Sequence, residues 1–371
     1  MKRLLRWMSA LAALASFGLA LRSRLRLPRR RKRHVPARAS PEDIERARPI
    51  VAASTRTYAN LVYRGDMAVM FGDRGNAFLM YGHRRHTYVA MGEPVGPREE
   101  MRELAGRFCR MCRESRRRPA FFEVGDDQRR LYGELGLVLT RLGEEARVDL
   151  ARFDIDTPRY AGLRQARARL LRKGCRFEVV AAQDVPGLMP QLLQVSQAWL
   201  AAKPTHEKGF SNASFDARYL ANFSVALVRD AARVLAFANL WEGAGREELS
   251  VDLMRYLPEA PNGTMDFLFT EVLLRGRDEG YRWFNFGVAP LSGLEREQHA
   301  TLWDRVGTLL YRHGEHFYNF RGLRRYKEKF APVWTPRYLA SPGGAALPVV
   351  LLDVAALIAG GVRAIVSKRP S

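Results

Sequence analysis

Short apolar runs separated by turn residues dominate residues 67–91 of the chain. The runs at 67–71, 77–81 and 87–91 are apolar or β-favouring, and the turns between them contain glycine, aspartate, histidine and arginine. This pattern predicts three strands joined as a meander. Ahead of them, Ser40 followed by Pro41 and two acidic residues predicts a helix from 41 to about 57.

The rest of the chain alternates between helix-like and strand-like periodicity. The pattern predicts helices at 98–115, 131–137, 160–173, 189–202 and 265–279. It predicts strands at 120–124, 177–181, 226–229, 234–241, 248–254 and 283–286, and a further strand that ends at residue 150. A similar order of elements thus occurs before and after the helix at 160–173, although no sequence repeat is visible. We therefore predict an α/β (α+β) fold built from two similar halves.

The net charge of the chain indicates what kind of partner it binds. The 371 residues are enough for about two domains with full cores, and 47% of them are hydrophobic. The formal net charge is +22 and the sequence pI is about 10.5. A charge of this size predicts a partner rich in phosphate, which could be nucleic acid, an anionic bilayer, or both.

The first 21 residues predict a membrane anchor. They are mostly apolar and about long enough to cross the hydrocarbon of a bilayer. A cleaved secretory signal is the alternative, but it would require translocation of residues 22–33, which contain eight basic residues. The positive-inside rule opposes that, so we expect a single N-terminal anchor with the bulk of the chain on the cytoplasmic side.

Neither the cysteines nor the C-terminus adds a second membrane span or a metal site. Cys109 and Cys112 form a C-x-x-C inside a predicted helix, without a second pair or a histidine cluster, so we predict no metal. Residues 345–366 are apolar, but Asp353, Arg363 and a Gly-Gly pair interrupt them. We expect a helix on the surface of the protein or the membrane.

A segment at 317–338 is unusually rich in arginine, lysine and aromatic residues: it holds four arginines, two lysines and seven aromatic rings. Together with other motifs it resembles the aminoacyl-phosphatidylglycerol synthases, the family of the phosphatidylglycerol lysyltransferases and multiple peptide resistance factors. The other motifs begin Gly-Glu-Pro-Val at 92, Leu-Gly-Glu-Glu at 142, Glu-Lys-Gly-Phe at 207, Ala-Phe-Ala-Asn at 236, Val-Asp-Leu-Met-Arg at 251 and Phe-Asn-Phe-Gly at 284.

This resemblance implies the catalytic part of these enzymes, a tandem of acetyltransferase-like (GNAT-like) folds joined by a basic helix. It implies transfer of lysine, alanine or arginine from aminoacyl-tRNA to phosphatidylglycerol, which reduces the negative charge of the membrane and resists cationic antimicrobial peptides. No cofactor is implied beyond the aminoacyl-tRNA co-substrate. With the predicted anchor, it places the protein at the inner membrane of a bacterial cell. Many members carry a multi-helix flippase domain ahead of the catalytic part. At most one such helix is predicted in this sequence, so we do not expect lipid flipping by this chain.

The corresponding domain limits can be placed along the chain. We predict an anchor and polybasic linker at 1–39, a first GNAT-like domain at 40–158 and a basic connecting helix at 159–174. A second, catalytic GNAT-like domain follows at 175–341, and a C-terminal amphipathic or apolar helix at 342–371.

Asp252 and Arg255 are the leading candidates for catalysis. An aminoacyl ester is already activated, so a glycerol hydroxyl needs deprotonation, orientation and stabilisation of the oxyanion. Asp252 could accept the hydroxyl proton or orient the amino acid's ammonium group, and Arg255 could clamp a phosphate or the carboxylate of Asp252. A salt bridge at the end of a strand is the structural alternative. The resemblance, which implies an essential Asp and Arg at this motif, favours function.

Further basic residues are candidates for binding and charge stabilisation. Lys327 and Lys329 suit a phosphate or a developing oxyanion, and we favour Lys329 slightly over Lys327. Asp266 could simply cap a helix. Candidate contacts to lipid or tRNA phosphates are Arg321, Arg324, Arg325, Arg164 and Arg167.

Two other functions stay open at this stage. A GNAT-like acyltransferase could use acyl-CoA or another lipid acceptor, but the usual pyrophosphate loop of closely spaced Arg or Gln and Gly before a helix is not evident. A membrane-tethered nucleic-acid-binding protein without enzymatic activity would need stacking or groove-reading modules, and we recognise none.

Overall fold

In the first half of the chain, helices flank a run of mostly antiparallel strands. The computed structural model describes residues 36–202, 210, 214–290, 292 and 320–358. The elements of this half are α1 (Pro41–Ala53), a 3₁₀ segment (Thr57–Arg64), β1 (Ala68–Phe71), β2 (Phe78–Arg84), β3 (Thr87–Met91), α2 (Arg98–Glu114), β4 (Arg118–Val124), α3 (Arg129–Glu134) and β5 (Val138–Asp149).

The second half repeats much of this order. Its elements are α4 (Ala161–Arg172), β6 (Arg176–Val180), α5 (Val185–Ala201), α6 (Ala217–Leu220), β7 (Val225–Arg229), β8 (Val234–Glu242), β9 (Glu248–Tyr256), α7 (Thr264–Asp278), β10 (Trp283–Pro290), α8 (Phe320–Glu328), β11 (Val333–Ser341) and α9 (Leu347–Ile358).

All described strands form one sheet in which the two halves exchange a strand. The order is β1-β2-β3-β4-β11-β5-β10-β9-β8-β7-β6. The last strand, β11, pairs with β4 and β5 of the first half, whereas β5 also pairs with β10 of the second half. The domain limits stay a prediction. The structure adds that β11, which we assigned to the second domain, lies between β4 and β5.

Each half contains one parallel strand pair connected through a helix, β3 with β4 and β9 with β10. Such a pair needs a crossover, which α2 and α7 provide. The ladder of the second pair is short: it joins residues 283–285 of β10 to residues 248–250 of β9. Beyond it the two strands diverge, and we call the opening between them the splay.

A bulge in β10 accompanies this divergence. Its register against β5 shifts between Asn285 and Val288, and Gly287 adopts a φ of 73°. The Asn285 side-chain oxygen accepts a hydrogen bond of 2.8 Å from the Gly287 amide. Glycine tolerates this left-handed conformation without a Cβ clash. The bulge therefore follows from local residues at the end of the parallel ladder.

The core of the second half lies on both faces of the sheet. Every residue of β8 except the last is buried. On one face Gly276 of α7 packs against Leu249, and on the other Trp199 of α5 covers Arg255. Strands covered on both faces have continuous hydrophobic sequences, which explains the apolar run at 234–241.

The mixed α/β class and most of the predicted elements are confirmed, with α1 ending at Ala53 rather than near 57. The strand β11 was missed, because Pro336 and the many charges of the 317–338 segment disfavour a strand. Pro336 lies where β11 pairs with β5 but not yet with β4, whose pairing begins at Tyr338. A missing N–H is tolerated at a position with one partner strand.

The predicted membrane contacts have different outcomes. The anchor at 1–21 lies outside the described residues. Among the helices that the structure describes, none is both long and apolar enough to cross a membrane. At the C-terminus, α9 packs on β2 and β3, so its described part lies on the protein.

Candidate active site

Asp252 and Arg255 lie on β9 beyond its parallel ladder with β10. Between residues 251 and 254, β9 has one residue more than the facing stretch of β8, which is a β-bulge. The Asn239 side-chain oxygen stabilises the bulge by accepting a hydrogen bond of 2.7 Å from the Leu253 amide. Residues three apart on a regular strand point to opposite faces. The extra residue brings Asp252 and Arg255 to the same face.

A buried phenol, which itself accepts a hydrogen bond from an indole, binds the carboxylate of Asp252. The Tyr219 hydroxyl donates to Asp252 Oδ2 at 2.5 Å, and Trp241 Nε1 donates to the Tyr219 oxygen at 3.1 Å. Burial and then the neighbouring charge of Asp252 raise the pKa of Tyr219 well above its ordinary value. The phenol therefore stays protonated and serves as a donor that orients Asp252.

Arg255 is buried beside an aromatic ring. Its guanidinium carbon lies 4.1 Å from the centroid of the Trp199 ring, and Nη1 donates to the Met254 carbonyl at 2.9 Å. A planar guanidinium on an indole face is held by cation–π attraction, and its N–H groups lie in the plane of the guanidinium, at its edges. Trp199 and Tyr219 come from α5 and α6, which pack together. The second half thus places a carboxylate and a guanidinium on the same face of β9.

Lys327 is buried against the bulge of β10. Its Nζ donates to the carbonyl oxygens of Gly287 and Val288 at 2.9 and 3.0 Å. Burial lowers the pKa of Lys327 to about 8, although the charges of Glu123 and Glu145 favour the ammonium. The Lys327 ammonium therefore binds the part of β10 that no longer pairs with β9. These contacts support the site, and the catalytic role of Lys327 stays a prediction.

Buried ion pairs surround Lys327 where the halves exchange strands. Arg337 of β11 binds Glu145 of β5. Burial acts to raise the pKa of Glu145, but the charge and hydrogen bond of Arg337, together with the hydrogen bond from Asn285, outweigh it and lower that pKa. Asn285 Nδ2 donates to Glu145 Oε1 at 3.1 Å and to Glu248 Oε2 at 3.2 Å. Buried charges are tolerated when they are paired and hydrogen-bonded. This network joins β5, β9, β10 and β11 next to the splay.

Lys329, which we favoured over Lys327, lies on the surface. Its Nζ is 3.0 and 2.9 Å from the two carboxylate oxygens of Asp266, and its side chain is 45% exposed. Asp266 lies in the first turn of α7, where no side chain caps the helix. Asp266 is thus the partner of Lys329 rather than a cap. Lys329 thus contacts α7 through Asp266, and its Nζ lies 4.9 Å from the centroid of the Tyr326 ring.

The candidate phosphate-binding arginines differ in how far they are engaged within the protein. Arg164 Nη1 donates to the carbonyls of Ile155 and Thr157, at 2.5 and 2.6 Å. Arg167 forms an ion pair of 2.5 Å with Glu271, and Arg324 binds Glu144 and Glu328. Arg325 is exposed on α8. The side chain of Arg321 lies outside the described residues.

A cleft of about 850 Å³ opens in the first half, near the ends of β3 and β4. Its lining mixes apolar residues with Arg56, Glu93 and Asp127. Glu93 is buried, and its Oε1 accepts a hydrogen bond of 2.9 Å from the Gly125 amide. Burial raises the pKa of Glu93. A buried carboxylate beside an apolar wall can bind a hydroxyl or an ammonium group.

Sequence reasoning did not identify Tyr219, Trp199 and Trp241. Tyr219 is 33 positions from Asp252, and no motif or periodicity links the two. Glu93 falls within the motif at 92–97, but no role was assigned to it. A single aromatic residue carries no signal of its own, so these contacts could be found only from the fold.

Comparison with known proteins decides the family. The profile of the family described as "Phosphatidylglycerol lysyltransferase, C-terminal" matches residues 48–341, which include the first half, the splay and β11. The chain belongs to this family. Asp252, Arg255, Lys327 and Lys329 all lie within the matched range.

Relatives within the phosphatidylglycerol lysyltransferase family are longer proteins. The phosphatidylglycerol lysyltransferase of Bacillus subtilis (strain 168) is 34% identical over 301 residues, which cover 81% of this chain and 35% of that protein. The phosphatidylglycerol lysyltransferase of Staphylococcus haemolyticus is 32% identical over 319 residues, covering 85% and 38%. The chain thus spans little more than a third of the length of these curated relatives.

Solved structures of this kind share the fold over nearly their full length. The C-terminal domain of a candidate lysylphosphatidylglycerol synthetase from Agrobacterium fabrum is 42% identical, with a TM-score of 0.79, covering 87% of this chain and 98% of that chain. L-PGS from Bacillus licheniformis is 30% identical, with a TM-score of 0.80, covering 89% and 99%. FemX, at 9% identity and a TM-score of 0.52, shares the fold alone.

Proposed function

We propose that this protein transfers an amino acid from aminoacyl-tRNA to the glycerol hydroxyl of phosphatidylglycerol. The observation that carries the proposal is the pairing of Asp252 and Arg255 on one face of β9, beside the splay, in a chain of the phosphatidylglycerol lysyltransferase family. Lysine, alanine and arginine are the candidate amino acids. The product carries an added amine, so it reduces the negative charge of the membrane.

The chemistry requires few groups, because the aminoacyl ester is already activated. Asp252 accepts the proton of the attacking glycerol hydroxyl, and the hydroxyl oxygen forms a bond to the ester carbonyl carbon. The bond from that carbon to the tRNA ribose oxygen then breaks, and the ribose oxygen takes up the proton from Asp252. Arg255 stabilises the negative charge on the carbonyl oxygen or holds the lipid phosphate. Tyr219 orients Asp252 through the hydrogen bond of 2.5 Å. No covalent enzyme intermediate is needed.

Both substrates are anionic, which accounts for the net charge of +22. We assign tRNA binding to the basic helix α4 and to exposed arginines such as Arg325, and lipid binding to the splay and the membrane anchor at 1–21. This arrangement places the catalytic part at the cytoplasmic face of a bacterial inner membrane. No cofactor takes part beyond the aminoacyl-tRNA.

The repeated order of elements supports a tandem of GNAT-like folds, but the crossover helices disfavour acyl-CoA. A pyrophosphate would bind the free N–H groups at a helix N-terminus. At α7 the first turn already holds Asp266 with Lys329. Arg169 covers the preceding turn by donating to the Asn262 carbonyl at 3.0 Å. At α2 the first turn holds Glu99 and the buried Glu100.

Lipid mass spectrometry tests the proposal. Cells that express the chain should contain phosphatidylglycerol shifted by the mass of one amino-acid residue. The Asp252→Ala variant should lose the shifted lipid, and transfer should fall by at least about a hundredfold if the carboxylate acts as the base. Asp278→Ala, which removes an exposed carboxylate of α7, is the matched control and should retain the product.

An assay with purified components then identifies which aminoacyl-tRNA is the donor. The protein is incubated with phosphatidylglycerol vesicles and tRNA charged with lysine, alanine or arginine. One donor should give product. Normal transfer by a folded Asp252→Ala protein would remove Asp252 from the mechanism. Failure with all three donors, with the protein shown to be folded and membrane-bound, would contradict the proposed reaction.

A further inference from the structure

Helix α9 is fixed to one end of the sheet in the first half. Asp353 is buried, and its Oδ2 accepts a hydrogen bond of 2.9 Å from Thr87 Oγ1 at the start of β3. Leu357 lies against Gly82 of β2, 3.4 Å from the position that a Cβ would occupy. These contacts set which side of α9 faces the sheet and which faces away.

The outer side of α9 is apolar. Pro348, Leu352 and Ala355 are spaced by four and three residues, so they share one side of the helix, and Leu352 is 44% exposed. Val138 at the start of β5 is 56% exposed and packs against Gly343, just before α9. Single exposed apolar residues are ordinary on a protein surface. Here they adjoin a concentration of positive charge.

Arginines surround this apolar stripe. Arg84 shares the face of β2 with Gly82, which contacts α9, and Arg85 and Arg116 are exposed in the adjoining turns. The Arg118 amide donates to the His86 carbonyl at 2.8 Å, which joins the two turns. Within the described part of the chain, no acid forms an ion pair with these four arginines, although Glu114 is exposed nearby.

The combination matches a bilayer surface better than RNA. An anionic membrane interface offers phosphate groups to arginines and hydrocarbon to apolar side chains at the same place. Single-stranded RNA would be bound by aromatic stacking, and the outer stripe of α9 contains no aromatic residue. Helix α9 and these arginines adjoin β2, β3 and β4, and the three strands β11, β5 and β10 separate β4 from β9, which carries Asp252.

We propose that this α9 surface, formed by Val138, Pro348, Leu352 and the arginines at 84, 85, 116 and 118, docks on an anionic bilayer. It is a second membrane contact, separate from any anchor at 1–21. Each basic side chain near such a surface strengthens docking roughly fivefold. Docking orients the first half relative to the lipid and does not depend on transfer chemistry.

A fluorescent probe at Leu352 tests this surface. The three native cysteines are buried, so Leu352→Cys in the full chain can be labelled selectively with a polarity-sensitive dye. The labelled protein is placed in vesicles of phosphatidylcholine alone or mixed with phosphatidylglycerol. We expect a blue shift and quenching by spin-labelled lipid in the mixed vesicles. Adding Arg85→Glu and Arg116→Glu should lower the ratio of docked to undocked protein by at least about tenfold.

Leu193→Cys is the matched control, because Leu193 is 40% exposed on a helix of the other half. A dye there should show neither change. Equal responses at 352 and 193, or docking that survives the two charge reversals, would overturn the proposal. A response of the 352 dye to tRNA but not to vesicles would identify an RNA surface instead and would also overturn it. Because the readout is not turnover, docking without transfer would count against the proposed reaction alone.

Discussion

The hydrogen bond from the buried Tyr219 hydroxyl fixes the orientation of the Asp252 carboxylate. Tyr219 receives a hydrogen bond from Trp241 and donates one to Asp252. A buried donor that loses its acceptor costs about 1–3 kcal/mol, since water cannot replace the partner. The three residues therefore act as a unit that fixes the carboxylate and stabilises the fold.

We expect Tyr219→Phe to lower the free energy of unfolding by about 1–2 kcal/mol, because the Trp241 N–H loses its acceptor. Transfer should fall by about tenfold or more, since Asp252 loses the group that orients it. Urea unfolding and an aminoacyl-lipid assay measure the two effects.

Tyr132→Phe is the matched control for this change. Tyr132 is fully buried on α3, and its hydroxyl has no hydrogen-bond partner among the described residues. Removing it should leave stability unchanged or slightly higher. Equal destabilisation by both variants would show that loss of the Tyr219 hydroxyl acts through packing rather than through the hydrogen bonds.

Lys327 should make stability depend on pH in an unusual direction. Burial lowers its pKa from 10.5 to about 8. Below pH 8 the ammonium is charged in both the folded and the unfolded chain, so the cost of burying it is fully present. Between about 8 and 10.5 the unfolded chain binds more protons, so this contribution to stability rises with pH. The free energy of unfolding, relative to Lys327→Met, should increase over that window.

Urea unfolding of both proteins at pH 7, 9 and 10.5 checks this expectation. Lys329→Met is the control, because it removes an exposed ammonium from a surface pair with Asp266 and should change stability by less than about 1 kcal/mol. A constant difference between the wild type and Lys327→Met across the three pH values would contradict the burial of a shifted lysine.

At the scale of elements, the exchange of β5 and β11 joins the two halves. β5 is twelve residues long and pairs with β11 on one side and β10 on the other. The buried pair Glu145–Arg337 lies in this seam. Removing one partner of a buried ion pair leaves an uncompensated charge, whereas replacing both partners by apolar residues often lowers the free energy of unfolding much less.

Arg337→Met should therefore lower the free energy of unfolding by roughly 3–5 kcal/mol, because Glu145 keeps its charge in the seam. The double change Glu145→Met with Arg337→Met should recover part of that loss. Denaturant unfolding of the single and double variants measures the coupling. Additive effects of the two single changes would show that the pair does not act as a unit.

At the scale of the whole molecule, the net charge of +22 makes binding to polyanions depend on salt. We expect the affinity for tRNA to fall at least about tenfold between roughly 50 and 200 mM salt, because bound phosphates release counterions. Arg325→Gln should reduce the slope of log affinity against log salt by about one if Arg325 contacts a phosphate. Filter binding over a salt series measures both quantities.

Arg164→Gln provides the comparison, since Arg164 already binds two backbone carbonyls. Arg164→Gln should lower the free energy of unfolding. It should change the slope of log affinity against log salt very little. An affinity for tRNA that is insensitive to salt would contradict the electrostatic mode of binding.

Much of this protein could be predicted from local sequence. Hydrophobic periodicity identified most of the helices and every described strand except β11, because burial repeats every two residues in a strand and about every 3.6 in a helix. The short helices α6 and α8 were not predicted. The motif at 251–269 pointed to Asp252 and Arg255, and composition pointed to anionic partners. The difference in burial between Lys327 and Lys329 could not be predicted, because these two positions, two residues apart, come to differ only when β10 and α7 pack against them.

What the sequence by itself determined is most of the elements, their class, the charge of the chain and the family resemblance, because each depends on residue types and near neighbours. Only the tertiary structure decided the position of β11, the shared face of Asp252 and Arg255, and the partners Tyr219 and Trp199. These depend on contacts between distant positions, such as Asn285 with Glu145 at a separation of 140 residues and Arg337 with Glu145 at 192. Which of many apolar strands pair, and where a bulge shifts the register, is selected by the packing of the whole sheet.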